Sequence, residues 1–460
     1  MLKEYDFSIK GTKGRVILLG LLTVLILFGT HTKLFSLAAF VISSLIVIYD
    51  KTHFRLMLIT YLMLMAHIFK ISSSGMSYFT FLMFIYIGLK LYEEKTILWT
   101  VVLFIIYVLT VQFINMGFEI TDDLKLFGNV LFIGYALSET KSYSEHDKEA
   151  LCVTHISAVL ASSVMRFFDS PFFKISDYTA PLNTESFGSN GGSIVRFSGL
   201  YQDPNYYTVN LIMALCLIVI LYYRGRVPIL FCAGSAAAIL YFGTLTYSKS
   251  FLLMLLLPLS VFVFANHRIG RYDIQVISLA LIFAAGALIL MTNPDFLTGM
   301  QKRMETGTSA TSGRSDIWLG YLDYIYHHPN IALFGAGIGA ELLFDRAIHN
   351  VYIEILYHLG LVGGFLLIVA IVNSGLRYRK AIRSHYMNFS VIIGILITYF
   401  FLSQLHDYEF PIHFTLAFMV LNQWDLSRSF ETEVPQICAP LIPELSNGKV
   451  KTLIPTENKK

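Results

Sequence analysis

Charged residues are scarce in this sequence of 460 residues. Asp, Glu, Lys and Arg make up 14% of the chain, whereas a soluble domain carries about 25%. Hydrophobic residues make up 55%, and long apolar runs recur from Arg15 to Trp424. This composition excludes an ordinary soluble enzyme and predicts an all-α polytopic membrane protein.

Cysteine is scarce as well. The four cysteines lie at Cys152, Cys216, Cys232 and Cys438, and no CxxC spacing occurs. Neither a disulfide framework nor a zinc site is therefore expected. No pair of carboxylates has the spacing of metal ligands, so we expect no metal and no other cofactor. We also expect no cleavable signal peptide, because the first apolar run is followed directly by His31–Lys33 and a second run.

The apolar runs predict about fourteen transmembrane helices. Several runs are shorter than the roughly 20 residues of an untilted span, so twelve spans is an open alternative. The predicted spans cover approximately 16–30, 34–49, 54–69, 76–92, 97–114, 124–138, 149–165, 206–223, 227–244, 251–265, 273–291, 350–372, 388–404 and 410–424. No internal repeat is evident.

The placement of Lys and Arg predicts the orientation of the chain in the membrane. The basic start, with Lys3, Lys10, Lys13 and Arg15, is typical of a cytoplasmic segment. Alternation from there places most basic loops inside, and the two long connections outside. The predicted division follows: N-terminal transmembrane helices at 1–165, a first long extracytoplasmic loop at 166–205, central transmembrane helices at 206–291, a second long extracytoplasmic loop at 292–349, C-terminal transmembrane helices at 350–424, and a cytoplasmic tail at 425–460.

The end of the first long loop reads RFSGLYQDPNYY from Arg196. Asp203 suits the N-cap of the next helix and the following proline suits its first turn. This capped helix start accounts for Asp203 and Asn205, but it does not account for Arg196. We therefore treat Arg196 as a candidate functional residue, with Tyr201, Asp203 and Asn205 as neighbouring candidates for substrate binding.

The second long loop contains SGRSDIW, with Ser312 as the expected N-cap of an amphipathic interfacial helix that ends at Pro329. Arg314 lies in its first turn, where the helix dipole disfavours a cation. A helix N-terminus with an arginine instead suits an anion such as phosphate. Trp318, on the same helix, is a further substrate-binding candidate. An arginine that only reaches toward the interface is the plainer alternative.

A glycine run, Gly335, Gly337 and Gly339, follows this helix. A GxGxG run without a βαβ context does not predict a dinucleotide site. We expect flexible backbone near a ligand.

The next apolar helix opens with HNVYIEILYH. His349 could accept a proton near neutral pH, although an interfacial histidine is more often only solvated. Asn350, Tyr352 and Glu354 are candidates for substrate binding. Glu354 and His358 are expected to bond to each other or to a neighbouring helix, since ionisable groups inside a bilayer are costly.

Two outward turns are weaker candidates. One is Tyr247–Ser250, in which Lys249 could add positive charge, and the other is the cluster from His406 to Glu409 together with His413. Both turns have the plain alternative of being polar connections.

Together these segments resemble the O-antigen ligase/polymerase superfamily of membrane glycosyltransferases, which have the GT-C architecture. The resemblance rests on RFSGLYQDPNYYTVNL at 196–211, SKS at 248–250, SGRSDIW at 312–318 and HNVYIEILYHLGLVGG at 349–364. It implies that Arg196 and Arg314 bind a lipid diphosphate and that His349 activates the acceptor. Many members carry Arg where this chain has Lys249. The first outer loop, His31–Lys33, lacks the acidic metal-binding motif of other GT-C branches.

The implied reaction is transfer of glycan from an undecaprenyl-diphosphate-linked oligosaccharide to a sugar hydroxyl, at the outer face of a bacterial plasma membrane. A capsular, exopolysaccharide or O-antigen polymerase is favoured by the DPNYY segment. An O-antigen ligase that transfers polymer to the lipid A core stays open, and a polysaccharide flippase or transporter is a third, less favoured alternative. The expected partners are the lipid-linked oligosaccharide, the bilayer, and a flippase and chain-length regulator of the same pathway, but no nucleic acid.

Overall fold

The computed structural model of the protein describes residues 12–50, 52–73, 75–115, 120–179, 183–186, 193–201, 203–224, 227–248, 250–252, 254–255, 314–344, 348, 350–378 and 408–423. Several predictions fall outside these residues. They are the spans at 273–291 and 388–404, most of the span at 251–265, the first part of the second long loop at 292–313 with Ser312, the tail at 425–460, and the site candidates Lys249 and His349.

The described chain is mostly helical. The helices are α1 (Thr12–Gly29), α2 (Lys33–Tyr49), α3 (Phe54–Met63), α4 (Tyr78–Glu94), α5 (Trp99–Asn115), α6 (Ile120–Lys141), α7 (Glu145–Met165), α8 (Pro204–Arg224), α9 (Ile229–Leu245), α10 (Arg314–His327), α11 (Pro329–Phe334), α12 (Val351–Arg377) and α13 (Glu409–Gln423). Two short 3-10 helices, Arg166–Phe168 and Ile175–Asp177, follow α7.

Among the described residues, three segments are long and apolar enough to cross a membrane, judged by length and composition. They are Glu145–Phe168, Pro204–Tyr222 and Val351–Arg377, and four of the other helices are apolar but shorter. Large apolar side chains lie exposed on the outside of the bundle, among them Phe113 and Leu230, which are 73% and 83% exposed. Such surfaces are unusual for a soluble monomer. The described structure is therefore consistent with an all-α membrane protein.

Two details of the sequence prediction are wrong. The run predicted as a span at 54–69 forms a helix only as far as Met63, and turns follow it. The all-α prediction included no strands, but the first long loop contains a two-stranded antiparallel hairpin besides its 3-10 turns. Its strands are β1 (Asn183–Ser186) and β2 (Ser193–Arg196), with Asn183 opposite Arg196.

Buried charges join the helices at one end of the bundle. Arg55, at the start of α3, donates two hydrogen bonds to Glu93 at 2.8 Å each and one to Glu139 at 3.1 Å. Lys90 lies 3.1 Å from the same Glu139 carboxylate, and Tyr86 donates to it at 3.0 Å. Each charge has a partner, which is what allows such groups to be buried. This network fixes the ends of α3, α4 and α6 together.

Helix α12 is interrupted at Gly360, whose φ of 67° and ψ of −177° are not helical. The carbonyls freed by the break are used by the preceding glycine run, because Ala336 N donates to Tyr357 O at 2.8 Å and Gly337 N donates to His358 O at 3.0 Å. A Cβ at Gly335 would lie 2.3 Å from the His358 carbonyl oxygen. The glycines therefore allow close backbone packing, and the expectation of flexible backbone near a ligand is wrong for Gly335 and Gly337.

Candidate functional site

Arg196 is the last residue of β2 and is only 4% exposed. Its Nε donates a hydrogen bond to the Thr246 carbonyl at 3.0 Å, and its Nη2 donates to Asn205 Oδ1 at 3.4 Å. Ser248 Oγ donates to the same Asn205 oxygen at 2.8 Å. The end of the first loop, the start of α8 and the turn after α9 therefore meet at this guanidinium.

Local chemistry explains why these segments come together. Asn205 N donates to Asp203 Oδ1 at 2.6 Å, so Asp203 caps α8 as the sequence predicts, with Pro204 in the first position. Gly199 has a φ of 55°, and a Cβ there would lie 2.6 Å from the Tyr207 ring. The loop can therefore fold closely over the start of α8 only because this residue is glycine.

The turn after α9 carries a second unusual conformation. Tyr247 has a positive φ of 47°, which is uncommon for a residue with a side chain. Thr246 and Ser248, on either side of it, both take part in the site: the first through its carbonyl to Arg196 and the second through its hydroxyl to Asn205. Strained backbone of this kind is concentrated at functional sites.

Arg314 begins α10 and is partly buried. Burial lowers the pKa of its guanidinium below its ordinary value, while the charge of Asp203 and the nearby Tyr206 raise the pKa and the charge of Arg196 lowers it further. These effects place Arg314 within electrostatic range of both Asp203 and Arg196. An arginine stays charged under such shifts, so two cations that are far apart in sequence share one small region of the structure.

The start of α12 is tied to this region through α10. Trp318 Nε1 donates to the Ile348 carbonyl at 2.8 Å. Asn350 is the N-cap of α12: its Oδ1 accepts from Tyr352 N at 3.0 Å and from Ile353 N at 3.2 Å. Its Nδ2 is buried and has no hydrogen-bond partner among the described residues. Asn350 thus combines a capping role with a donor that is available to a ligand.

The remaining site candidates lie on α12 or outside the described residues. Tyr352 is 39% exposed, and Glu354 is buried on α12. His358 is hydrogen-bonded through Nδ1 to the Gly337 carbonyl at 2.8 Å, which agrees with the expected bond to a neighbouring segment. His349 and Lys249 lie outside the described residues. The described structure therefore brings Arg196, Asp203 and Asn205 together, with Arg314 within electrostatic range of Arg196 and Asp203.

A second polar cluster lies at this end of the bundle, and sequence reasoning identified only part of it. His67 Nε2 lies 3.6 Å from Glu409 Oε1, and the His67 ring contacts the Tyr201 ring at 4.7 Å between centroids. Tyr201 is 1% exposed, and its ring packs against this histidine. The sequence analysis named Tyr201 and Glu409 separately, but it missed His67, whose only signal was a titratable side chain at the end of an apolar run, close to Lys70.

Among the residues that the structure describes, no group of three or more His, Cys, Asp or Glu side chains is placed to hold a metal ion. The chemistry available around Arg196 and Arg314 is that of two guanidinium groups, hydroxyls and amides. Together these groups suit a phosphate or diphosphate group.

Comparison of the chain with protein-family models, with curated proteins and with solved structures gives no match. The family resemblance therefore stays a prediction, and the functional argument depends on the geometry around Arg196 and Arg314.

Proposed function

We propose that this protein is a membrane glycosyltransferase that uses a lipid-diphosphate-linked oligosaccharide as its donor. In this proposal it is a polysaccharide polymerase of the GT-C type in the bacterial plasma membrane, with its site on the extracytoplasmic face. The observation that carries the proposal is the buried guanidinium group of Arg196, which the Thr246 carbonyl and Asn205 hold at the start of α8, with Arg314 within electrostatic range. A guanidinium group held in this way is suited to bind phosphate oxygens in two places at once.

The diphosphate is the leaving group of the proposed reaction. The acceptor hydroxyl oxygen attacks the sugar C1, the bond from C1 to the diphosphate oxygen breaks, and its electron pair stays on the diphosphate. Negative charge grows on those oxygens in the transition state, so cations already held in place lower the barrier selectively. Loss of one such donor typically costs about 3 kcal/mol, or roughly a hundredfold in rate.

The proton of the acceptor hydroxyl needs a base. The resemblance assigns this role to His349, next to the buried Asn350, and an imidazole is suited to accept a proton near neutral pH. One displacement at C1 inverts the configuration there, and the scheme requires no metal. The lipid tail would lie in the bilayer beside the helices, which is the reason for placing the donor site at a helix end.

Polymerase and ligase share this donor chemistry and differ in the acceptor, which is a second lipid-linked repeat or the lipid A core. We favour the polymerase on the DPNYY segment alone. In either case we expect the protein to act with the flippase that delivers the donor and, for a polymerase, with a chain-length regulator.

A deletion strain complemented with variants tests the proposal. Without the gene, a polymerase defect leaves single repeats on the surface lipid, whereas a ligase defect leaves polymer attached to the carrier lipid. Arg314→Ala should reproduce the deletion while protein stays in the membrane at the wild-type level. Arg377→Ala is the matched control, because this exposed arginine lies at the far end of α12. Normal polysaccharide from both Arg314→Ala and Arg196→Lys would contradict the proposal.

A further inference from the structure

A second cluster of polar and aromatic side chains lies at the same end of the bundle as Arg196. It is formed by the turn after α3, the first turns of α6, the start of α13 and the first long loop. We call it the His67–Glu409 cluster, and its members are His67, Lys70, Lys125, Tyr201, Tyr408 and Glu409.

Two aromatic rings border the imidazole at the centre of this cluster. The centroid of the His67 ring lies 4.7 Å from that of Tyr201 and 5.9 Å from that of Tyr408. Lys125 Nζ lies 5.7 Å from the centroid of the Tyr408 ring and pairs with Asp122 at 2.8 Å. Aromatic faces and charged groups of both signs therefore alternate within a short distance.

Glu409 supplies an acceptor whose hydrogen-bonding capacity is not filled. It is 5% exposed, and its Oε1 accepts no hydrogen bond from the described residues, although His67 Nε2 lies 3.6 Å away. A buried carboxylate oxygen without a donor costs free energy, and such groups in native structures call for an explanation. A ligand hydroxyl that donates to Glu409 Oε1 would remove this cost.

Lys70 follows three residues after His67 and is half-buried. Burial lowers the pKa of its ammonium group, and the charge of Lys125 lowers the pKa further. An acceptor oxygen of a ligand would compensate this ammonium group for its partial burial.

Tyr201 connects this cluster to the two arginines. It lies in the loop between Arg196 and Asp203, and both of those residues belong to the candidate diphosphate site. A ligand in contact with His67 and Glu409 would thus lie near the loop that carries Arg196 and Asp203.

We propose that the His67–Glu409 cluster binds the sugar of the acceptor, with the Glu409 carboxylate accepting a hydrogen bond from one of its hydroxyl groups. This inference rests on the proposed function, and it names the second substrate of the same reaction. A neutral polyhydroxyl ligand fits because its hydroxyls both donate to Glu409 and accept from Lys70, while ring faces suit the apolar faces of a sugar. A second diphosphate fits less well, since Glu409 and Asp122 would repel it.

Two probes separate this inference from the proposed function. One is undecaprenyl diphosphate without sugar, and the other is the free oligosaccharide repeat, released by mild acid from the lipid carrier of a deletion strain. Each is titrated into the purified full-length protein in nanodiscs. Glu409→Gln and Lys70→Met should each weaken binding of the oligosaccharide about tenfold or more, which is typical for a lost hydrogen bond to a charged group. Binding of undecaprenyl diphosphate should change by less than about twofold.

Asp323→Asn is the matched control, because this carboxylate side chain is 75% exposed and pairs only within α10 in the described structure. Wild-type affinity for the oligosaccharide in both Glu409→Gln and Lys70→Met would overturn the acceptor site, even if the lipid diphosphate binds as expected. A failure of the proposed function looks different: the wild-type protein would bind no undecaprenyl diphosphate, and Arg314→Ala would still make long chains. Because Lys70 is half-buried, we expect Lys70→Met to fold. Its affinity for the oligosaccharide therefore tests the acceptor site even if Glu409→Gln fails to fold.

Discussion

The guanidinium group of Arg196 lies near enough to Arg314 that it lowers the pKa of Arg314, in addition to the effect of burial. Two like charges in a partly desolvated place destabilise a folded protein unless something compensates them. Asp203 supplies part of the compensation. Perturbed ionisable groups of this kind are concentrated at functional sites, and in the proposed function this is where the diphosphate binds.

Asn205 provides a test of charge within the site. Its Oδ1 accepts from Arg196 Nη2 at 3.4 Å and from Ser248 Oγ at 2.8 Å. We expect Asn205→Asp to preserve these hydrogen bonds and the melting temperature, but to weaken binding of undecaprenyl diphosphate at least tenfold, because the new carboxylate neutralises Arg196. Asn205→Ala should instead lower the free energy of unfolding by about 1–3 kcal/mol, since buried donors lose their acceptor. Equal lipid binding by wild type and Asn205→Asp would count against an anion site.

The partly buried ammonium group of Lys70 should lower the free energy of unfolding. Its folded-state pKa is lowered from the ordinary value of 10.5, so between the two values the unfolded chain binds more protons and stability rises with pH. At neutral pH the charged ammonium is therefore destabilising, and Lys70→Met should raise the melting temperature. As the pH approaches 10.5, the free energy of unfolding should rise less in Lys70→Met than in the wild-type protein. Melting curves of both proteins across this interval test the sign, and an identical pH dependence would contradict it.

The buried network at the opposite helix ends should matter for stability rather than for activity. Glu139 accepts hydrogen bonds from Arg55, Tyr86 and Tyr143 and lies 3.1 Å from Lys90. Glu139→Ala leaves two buried cations short of a counter-ion, which typically costs about 3–5 kcal/mol. We expect a large loss of folded protein on detergent extraction, measured by size-exclusion chromatography, whereas the exposed control Asp323→Asn should behave as wild type.

The break in α12 predicts which glycines tolerate a side chain. A Cβ at Gly360 would lie 2.4 Å from Gly335 N, and both residues have positive φ. Gly360→Ala and Gly335→Ala should therefore prevent stable folding. Gly20→Ala and Gly88→Ala are matched controls, because nothing lies within 4 Å of a Cβ at either position, and alanine favours a helix by up to about 1 kcal/mol. Normal thermal stability of Gly360→Ala would show that the break is not required.

Local chemistry in the sequence was enough to predict several parts of the site. The cap at Asp203 and the end of α10 before Pro329 depend on neighbouring residues only, and the structure has both. The glycine run was misread, because its partner is the backbone of α12 more than twenty positions later in the sequence. No periodicity encodes such a contact.

Contacts between residues far apart in the sequence were the other feature that sequence reasoning could not predict. Nothing near His67 in the sequence indicates that it meets Glu409, at the opposite end of the chain. A shared role of Arg314 and Arg196 was expected only from the family resemblance, since the sequence alone places Arg314 in the first turn of a helix and Arg196 in a loop before a helix cap. His349 lies outside the described residues, so its role as the base stays a prediction.

The most direct measurement is chain elongation by the purified protein in liposomes that contain the lipid-linked repeat, followed on a gel of the products. The wild-type protein should form polymers without added metal, and Arg314→Ala should do so about a hundredfold more slowly, while Arg377→Ala keeps the wild-type rate. Equal rates for wild type and Arg314→Ala, or no glycosyl transfer by the wild-type protein to a second repeat or to a lipid A core acceptor, would contradict a diphosphate site built on Arg196 and Arg314.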